Sequence, residues 1–151
     1  MKIYSTTTKI NANADTIWAI LTDSSAYHDW NKSVEKVEGH IALGEKIKVY
    51  AKISPERAFA VKVQEFVPSK RMVWRGGMPL GLFKGVRTFT LTDENNGQVE
   101  FRMQEVFSGL MSPLIVRSMP DLTEPFEQFA ISLKAEAESI ANKPANRTHS
   151  S

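Results

Sequence analysis

Cysteine is absent from all 151 residues, which removes disulfides and thiol chemistry from consideration and fits a reducing compartment. Long apolar runs are absent too. The longest fall well short of the ~20 residues a membrane span needs, and the opening MKIYSTTTKI carries no signal-type apolar core. The chain is therefore expected to be cytoplasmic, without a membrane span. The N-glycosylation tripeptides beginning at Asn31 and Asn146 are then read as chance matches. Histidine is scarce: His28, His40 and His149 have no partner at metal-ligand spacing, so no metal site is expected. No Gly-x-Ser-x-Gly elbow occurs. Gly76, Gly77, Gly81 and Gly85 match neither dinucleotide nor Walker spacing, and no cofactor is expected. Nor is there a strong charge of one sign, because the net charge is only +2. Lys46, Lys48 and Lys52 alternate with Ile47, Val49, Ala51 and Ile53, the pattern of a half-buried strand with a wet lysine face. Nucleic acid is accordingly not expected as a partner.

What is present describes a folded domain: 42% hydrophobic and 24% charged residues. A chain of this length buries roughly 68–70% of its unfolded surface, enough for a core without staples. One domain is expected over residues 1–141, followed by a polar, disordered tail at 142–151 that contains Pro144.

Residues 3–10 alternate and are rich in threonine, as a first strand would be. Asn11 and Asn13 offer helix caps, Asp15 suits a first turn, and Ile17, Ile20 and Leu21 recur at helical spacing, giving a helix over about 14–22. The segment 23–30 reads as a second short helix or capped turn. From Ser33 to Gly109, six short runs rich in Val, Ile, Phe and Thr are separated by tight turn signals, which describes an antiparallel meander. Gly76-Gly77 to Gly81 reads as one of the turns, a flexible loop whose Gly77-Met-Pro-Leu-Gly segment is able to act as a lid, and Gly85 reads as a bulge.

Met111, Ile115, Ser118, Leu122, Phe126, Phe129, Leu133, Ala137 and Ile140 then advance by three or four, one mostly apolar helical stripe. Glu127, Gln128, Lys134 and Glu138 fall on the other side. Pro120 and Pro125 predict a kink or restart near 119–124. The expected architecture is α+β: a seven-strand curved antiparallel sheet around a long C-terminal helix. A single helix leaves space over such a sheet, and close packing requires that space to be occupied.

Several segments resemble the START-like, helix-grip superfamily, and more closely its bacterial polyketide cyclase/dehydrase and lipid-transport branch. They are Ala14-Asp15-Thr16-Ile17-Trp18, residues 27–31, Leu43-Gly44-Glu45, residues 71–76, Leu82-Phe83-Lys84-Gly85 and residues 105–110, in that order and spacing. The resemblance covers residues 3 to about 140. It implies a cavity for a small apolar or amphipathic molecule, but no single reaction, because such folds serve carriers, receptors, cyclases and chaperone regulators. One departure stands out: where the family is expected to place a histidine two residues before Phe89, this chain has Arg87.

Within the strands one pair of charges stands apart. Phe83, Arg87, Phe89 and Leu91 share a face of one strand, and Val99, Phe101, Met103, Glu105 and Phe107 share a face of the next. A three-residue turn at Asn95-Asn96-Gly97 would set Glu94 against Gln98, and therefore Arg87 against Glu105, inside an apolar wall. Such a pair is either structural or a polar anchor for a ligand. Trp18 reads as core packing. The residues expected to line the ligand space are Trp30, Trp74, Met78, Phe83, Arg87, Phe89, Phe101, Met103, Glu105, Leu122 and Phe126.

Three functions follow. The leading one is binding of a small hydrophobic ligand, lipid or polyketide-like aromatic. The second is a cyclase/dehydratase acting on such a ligand, for which Glu105 is the one inward carboxylate. The third is a chaperone-regulator-like interaction domain, which needs an exposed apolar patch.

Overall fold

The computed structural model describes residues 1–143. The expected tail lies, from residue 144 onward, outside them. Strand β1 (Lys2–Ile10) leads into α1 (Ala14–Thr22), a 3₁₀ turn (Ser24–Ala26) and the one-turn α2 (Tyr27–Trp30). Six strands follow: β2 (Val34–Glu38), β3 (Lys46–Ala51), β4 (Ala58–Val67), β5 (Arg71–Met78), β6 (Phe83–Asp93) and β7 (Val99–Ser108). The chain closes with α3 (Ser112–Ser118) and α4 (Thr123–Ala141). The strands form one sheet in the order β1-β7-β6-β5-β4-β3-β2, and every neighbouring pair is antiparallel. This is the expected meander, and β1 joins it beside the last strand.

Local chemistry explains the elements. The Asn13 side chain accepts the Thr16 amide at 2.8 Å and so caps α1, whose buried residues are Ile17, Trp18, Ile20 and Leu21. On β3, Ile47 and Val49 are buried while Lys46 and Lys48 face solvent. The prolines divide the last helix as expected. Pro113 lies in the first turn of α3, Pro120 in the break, and Pro125 in the first turn of α4, where no amide is required of it.

Three local expectations are corrected. Gly76 and Gly77 are not in a loop: they continue β5, paired with Gly85 and Lys84. Gly85 is not a bulge but sits in regular register between Gly76 and Phe107; the irregularities fall at Val34/Lys36 and Val63/Glu65. Finally, the helix stripe does not run to Ile140, which is exposed, and Lys134 and Glu138 are not simply on the wet side. Glu138 accepts the Asn11 amide at 2.9 Å and the Lys134 ammonium at 2.7 Å, while Lys134 also donates to the Lys9 carbonyl. These bonds hold the Glu138 carboxyl below its ordinary pKa and tie α4 to the end of β1.

Asn31 joins α2 to β2. It is almost wholly buried, and its Oδ1 accepts from the Ser33 amide, the Ser33 hydroxyl and the Val34 amide at 2.9–3.0 Å. Burial also rules this side chain out as a glycosylation acceptor in the folded domain. Asn31→Ala strands two backbone donors and is expected to cost about 2 kcal/mol in a urea melt. A loss below about 0.5 kcal/mol would show that water replaces the bonds freely.

Candidate ligand-binding site

The inner face of the sheet is built in cross-strand rows. The deepest holds the core. Phe129 of α4 meets Trp30, Tyr27, Phe89 and Phe101, with ring centroids 5.8–6.3 Å apart, and Phe101 stacks nearly parallel to it at 6°. Met103 and Met72 lie opposite Phe89 on either side and complete this layer. The Tyr27 hydroxyl donates to the Leu21 carbonyl at 2.6 Å, and burial pushes its pKa well above the ordinary phenol value.

One row further along, the inner face becomes polar. Trp74, Arg87, Glu105 and Tyr4 stand side by side on β5, β6, β7 and β1. The Arg87 Nε and Nη2 groups both donate to Glu105 Oε1, at 2.8 and 2.7 Å. The two side chains are 19% and 14% exposed, so the pair is mostly but not wholly withdrawn from water. The guanidinium lies 4.8 Å over the Phe126 ring. The register that sets Arg87 against Glu105 comes from the turn after β6, where Asn95 and Gly97 take φ of 61° and 86° and the Glu94 amide donates to Gln98.

Glu105 Oε2 points away from the guanidinium, toward Gly85. A Cβ at residue 85 would stand 3.0 Å from that oxygen and 3.1 Å from the Phe107 ring. The missing side chain therefore makes room for the carboxylate. Beyond it, Phe83 stacks on Phe107 at 5.7 Å, and Tyr4 bridges Phe107 and Phe126. The result is a polar pair ringed by Phe83, Phe107, Tyr4 and Phe126.

The eleven residues singled out from the sequence thus divide by depth. Arg87, Glu105, Phe83 and Phe126 converge on this ring, with Leu122 packed against the core beside them. Trp74 is buried in the same row as Arg87 and packs on Phe89; Phe89, Phe101 and Met103 are buried in the core layer, Trp30 packs on Phe129, and Met78 is exposed. Gly85, Tyr4 and Phe107 complete the site and were not among the expected lining residues. Inward parity was a visible signal for both Phe107 and Gly85, which alternates with Phe83 and Arg87 on the same face.

Two indole donors remain unsatisfied. The Nε1 groups of Trp74 and Trp30 are buried with no hydrogen-bond partner among the described residues, as is Asn31 Nδ2. An unpaired buried donor is costly, and a bound acceptor or water would relieve it. Two open surface clefts, of about 390 and 360 Å³, lie elsewhere. One is beside the β6–β7 turn, and the other lies between α1 and α4 with Trp30 at its edge.

The fold recurs in solved structures at low identity. A START superfamily protein from Mycobacterium smegmatis is 16% identical with a TM-score of 0.66, over 91% of this chain and 98% of its own. The Aha1 dimer from Colwellia psychrerythraea is 20% identical with a TM-score of 0.70, over 91% of this chain and 97% of that one. The di-domain ARO/CYC protein BexL of the BE-7585A biosynthetic pathway is 13% identical with a TM-score of 0.71, over 95% of this chain but 48% of its own. No protein with a curated description matches. Among the described residues no helix is long and apolar enough to cross a membrane. Residues 1–138 match the family described as polyketide cyclase / dehydrase and lipid transport, and the chain belongs to that family.

Proposed function

We propose that the domain binds a small, mainly apolar molecule on the inner face of its sheet, with Arg87 and Glu105 as the polar anchor. The observation that carries this reading is the pair itself. Two charges stand on an otherwise apolar inner face, and one carboxylate oxygen is turned into the gap above Gly85 instead of onto the guanidinium. An apolar wall with a few convergent polar groups is the usual make-up of a small-molecule site. The unpaired indole of Trp74, directly across the strands from Arg87, adds a donor to the same wall.

A cyclase/dehydratase role, in line with the family description, is the second reading. It asks more of Glu105, whose Oε1 is already occupied by both guanidinium bonds and so is not free to face a reacting carbon. That pairing favours binding over acid–base catalysis.

The test is native mass spectrometry of freshly purified full-length protein, together with titration by a fluorescent apolar probe. A co-purified adduct, displaced by the probe at one-to-one stoichiometry, is the expected result. Protein that carries no adduct and takes up no probe would overturn the proposal.

A further inference from the structure

The end of the sheet where β3, β5 and β7 terminate is unlike the rest of the surface. Because the strands alternate in direction, residues 52–57, 79–82 and 109–111 all turn over at this one end. Leu80 is 91% exposed, Leu110 83% and Leu114 on α3 59%. Ile53, Phe59 and Met78 are also exposed around them. These six are half of the twelve exposed large hydrophobic side chains among the described residues. Scattered apolar residues need no explanation, but a concentration at one end does.

The loops display these side chains at a conformational cost. Leu80 and Gly81 both have positive φ, 62° and 70°, and the Leu82 amide donates to Pro79. Such a turn favours Asn, Asp or Gly at its first central position, and a branched apolar residue is disfavoured there. Leucine nevertheless occupies it, pointing into water. The neighbouring loop is bolted to this one: the Leu110 amide donates to Gly81 at 3.1 Å and the Met111 amide to Leu82 at 2.7 Å. Gly109, with φ of 112°, permits the approach, since a Cβ there would stand 2.7 Å from the Leu82 carbonyl oxygen. Leu80 and Leu110 are therefore held out as one rigid double tip.

We propose that this end docks on a lipid bilayer bearing anionic headgroups. The apolar groups ride on hairpin and loop tips, a shape that suits insertion into a fluid interface. Around them stand Lys2, Lys52, Arg57, Lys84 and Arg117, against Glu56, Asp121 and Glu124. Asp121 keeps its charge, since the Thr123 amide and hydroxyl hold its carboxyl below the ordinary range, so five basic side chains face three acidic ones. The Arg57 guanidinium lies over the Phe59 ring, with its charge beside an apolar tip. The balance is basic, as adsorption to an anionic surface requires. The inference stands whether or not the interior holds a ligand.

The experiment is vesicle flotation with the full chain, using phosphatidylcholine alone and phosphatidylcholine mixed with phosphatidylglycerol. Wild type should bind the mixed vesicles about tenfold more tightly than the neutral ones, and added salt should weaken that preference. The double variant Leu80→Ser/Leu110→Ser should lose about tenfold in binding at an unchanged melting temperature. Leu43→Ser, exposed at the opposite end, should bind as wild type does. Absence of vesicle binding would overturn the proposal, as would binding that the double variant retains. So would self-association or partner capture through these tips by a protein that ignores vesicles, which would make the surface a protein interface.

Discussion

Phe129→Ala is expected to lower stability by about 3–5 kcal/mol, the range for a buried aromatic whose cavity does not collapse. Phe129 is 1% exposed and touches four other rings contributed by α2, β6 and β7. Strands and helix are both anchored around that cavity, so relaxation into it is limited. Phe126, one helical turn earlier, is equally buried but contacts Tyr4 and the Arg87 guanidinium. Truncating Phe129 should therefore reduce stability more than ligand retention, and truncating Phe126 the reverse. Denaturant melts and native mass spectra of both variants decide this. A loss below about 1 kcal/mol at Phe129 would mean that the core rearranges to fill the gap.

The β2–β7 meander, the helix breaks and the β6–β7 register were legible because each rests on a short-range rule, whereas the place of β1 beside β7 was not. Alternation marks the wet face of β3. Prolines mark the break between α3 and α4. A turn with an obligatory left-handed glycine counts out which residues face each other. The misreadings involve contacts between residues far apart in sequence. Glycines 76, 77 and 85 looked like turn and bulge signals, but all three are paired within strands: the backbones of β4 and β6 approach Gly76 and Gly77 closely, and the Glu105 and Phe107 side chains fill the space over Gly85. Lys134 and Glu138 looked like a solvated helix face because no local rule reveals that Asn11 and the Lys9 carbonyl, over a hundred residues away, meet them. The site was half legible for the same reason. Arg87 and Glu105 stand out as charges in an apolar pattern, whereas the room that Gly85 makes for the carboxylate is visible only once β7 lies beside β6.

The pair also gives the second large effect, one that separates structure from function. Glu105→Ala leaves the Arg87 guanidinium without its carboxylate in a site that is less than one-fifth exposed. The expected cost is about 3 kcal/mol, at the low end for breaking a buried pair because part of the guanidinium remains wet. Arg87→Met alone should cost a similar amount by stranding the carboxylate beside Phe107. Arg87→Met/Glu105→Leu removes both charges at roughly constant volume, and its stability should return to within about 1 kcal/mol of wild type. If the pair served the fold alone, this double variant would retain the co-purified molecule and the apolar probe as wild type does. As the anchor of a bound ligand, the pair predicts a double variant that melts normally yet elutes empty. Denaturant melts and native mass spectra of the same three variants provide both readouts. A double variant that melts normally and stays loaded would confine Arg87 and Glu105 to a structural role, and an adduct still present would then have to be held by other groups. The first to test would be the unpaired indole of Trp74, which faces the same row.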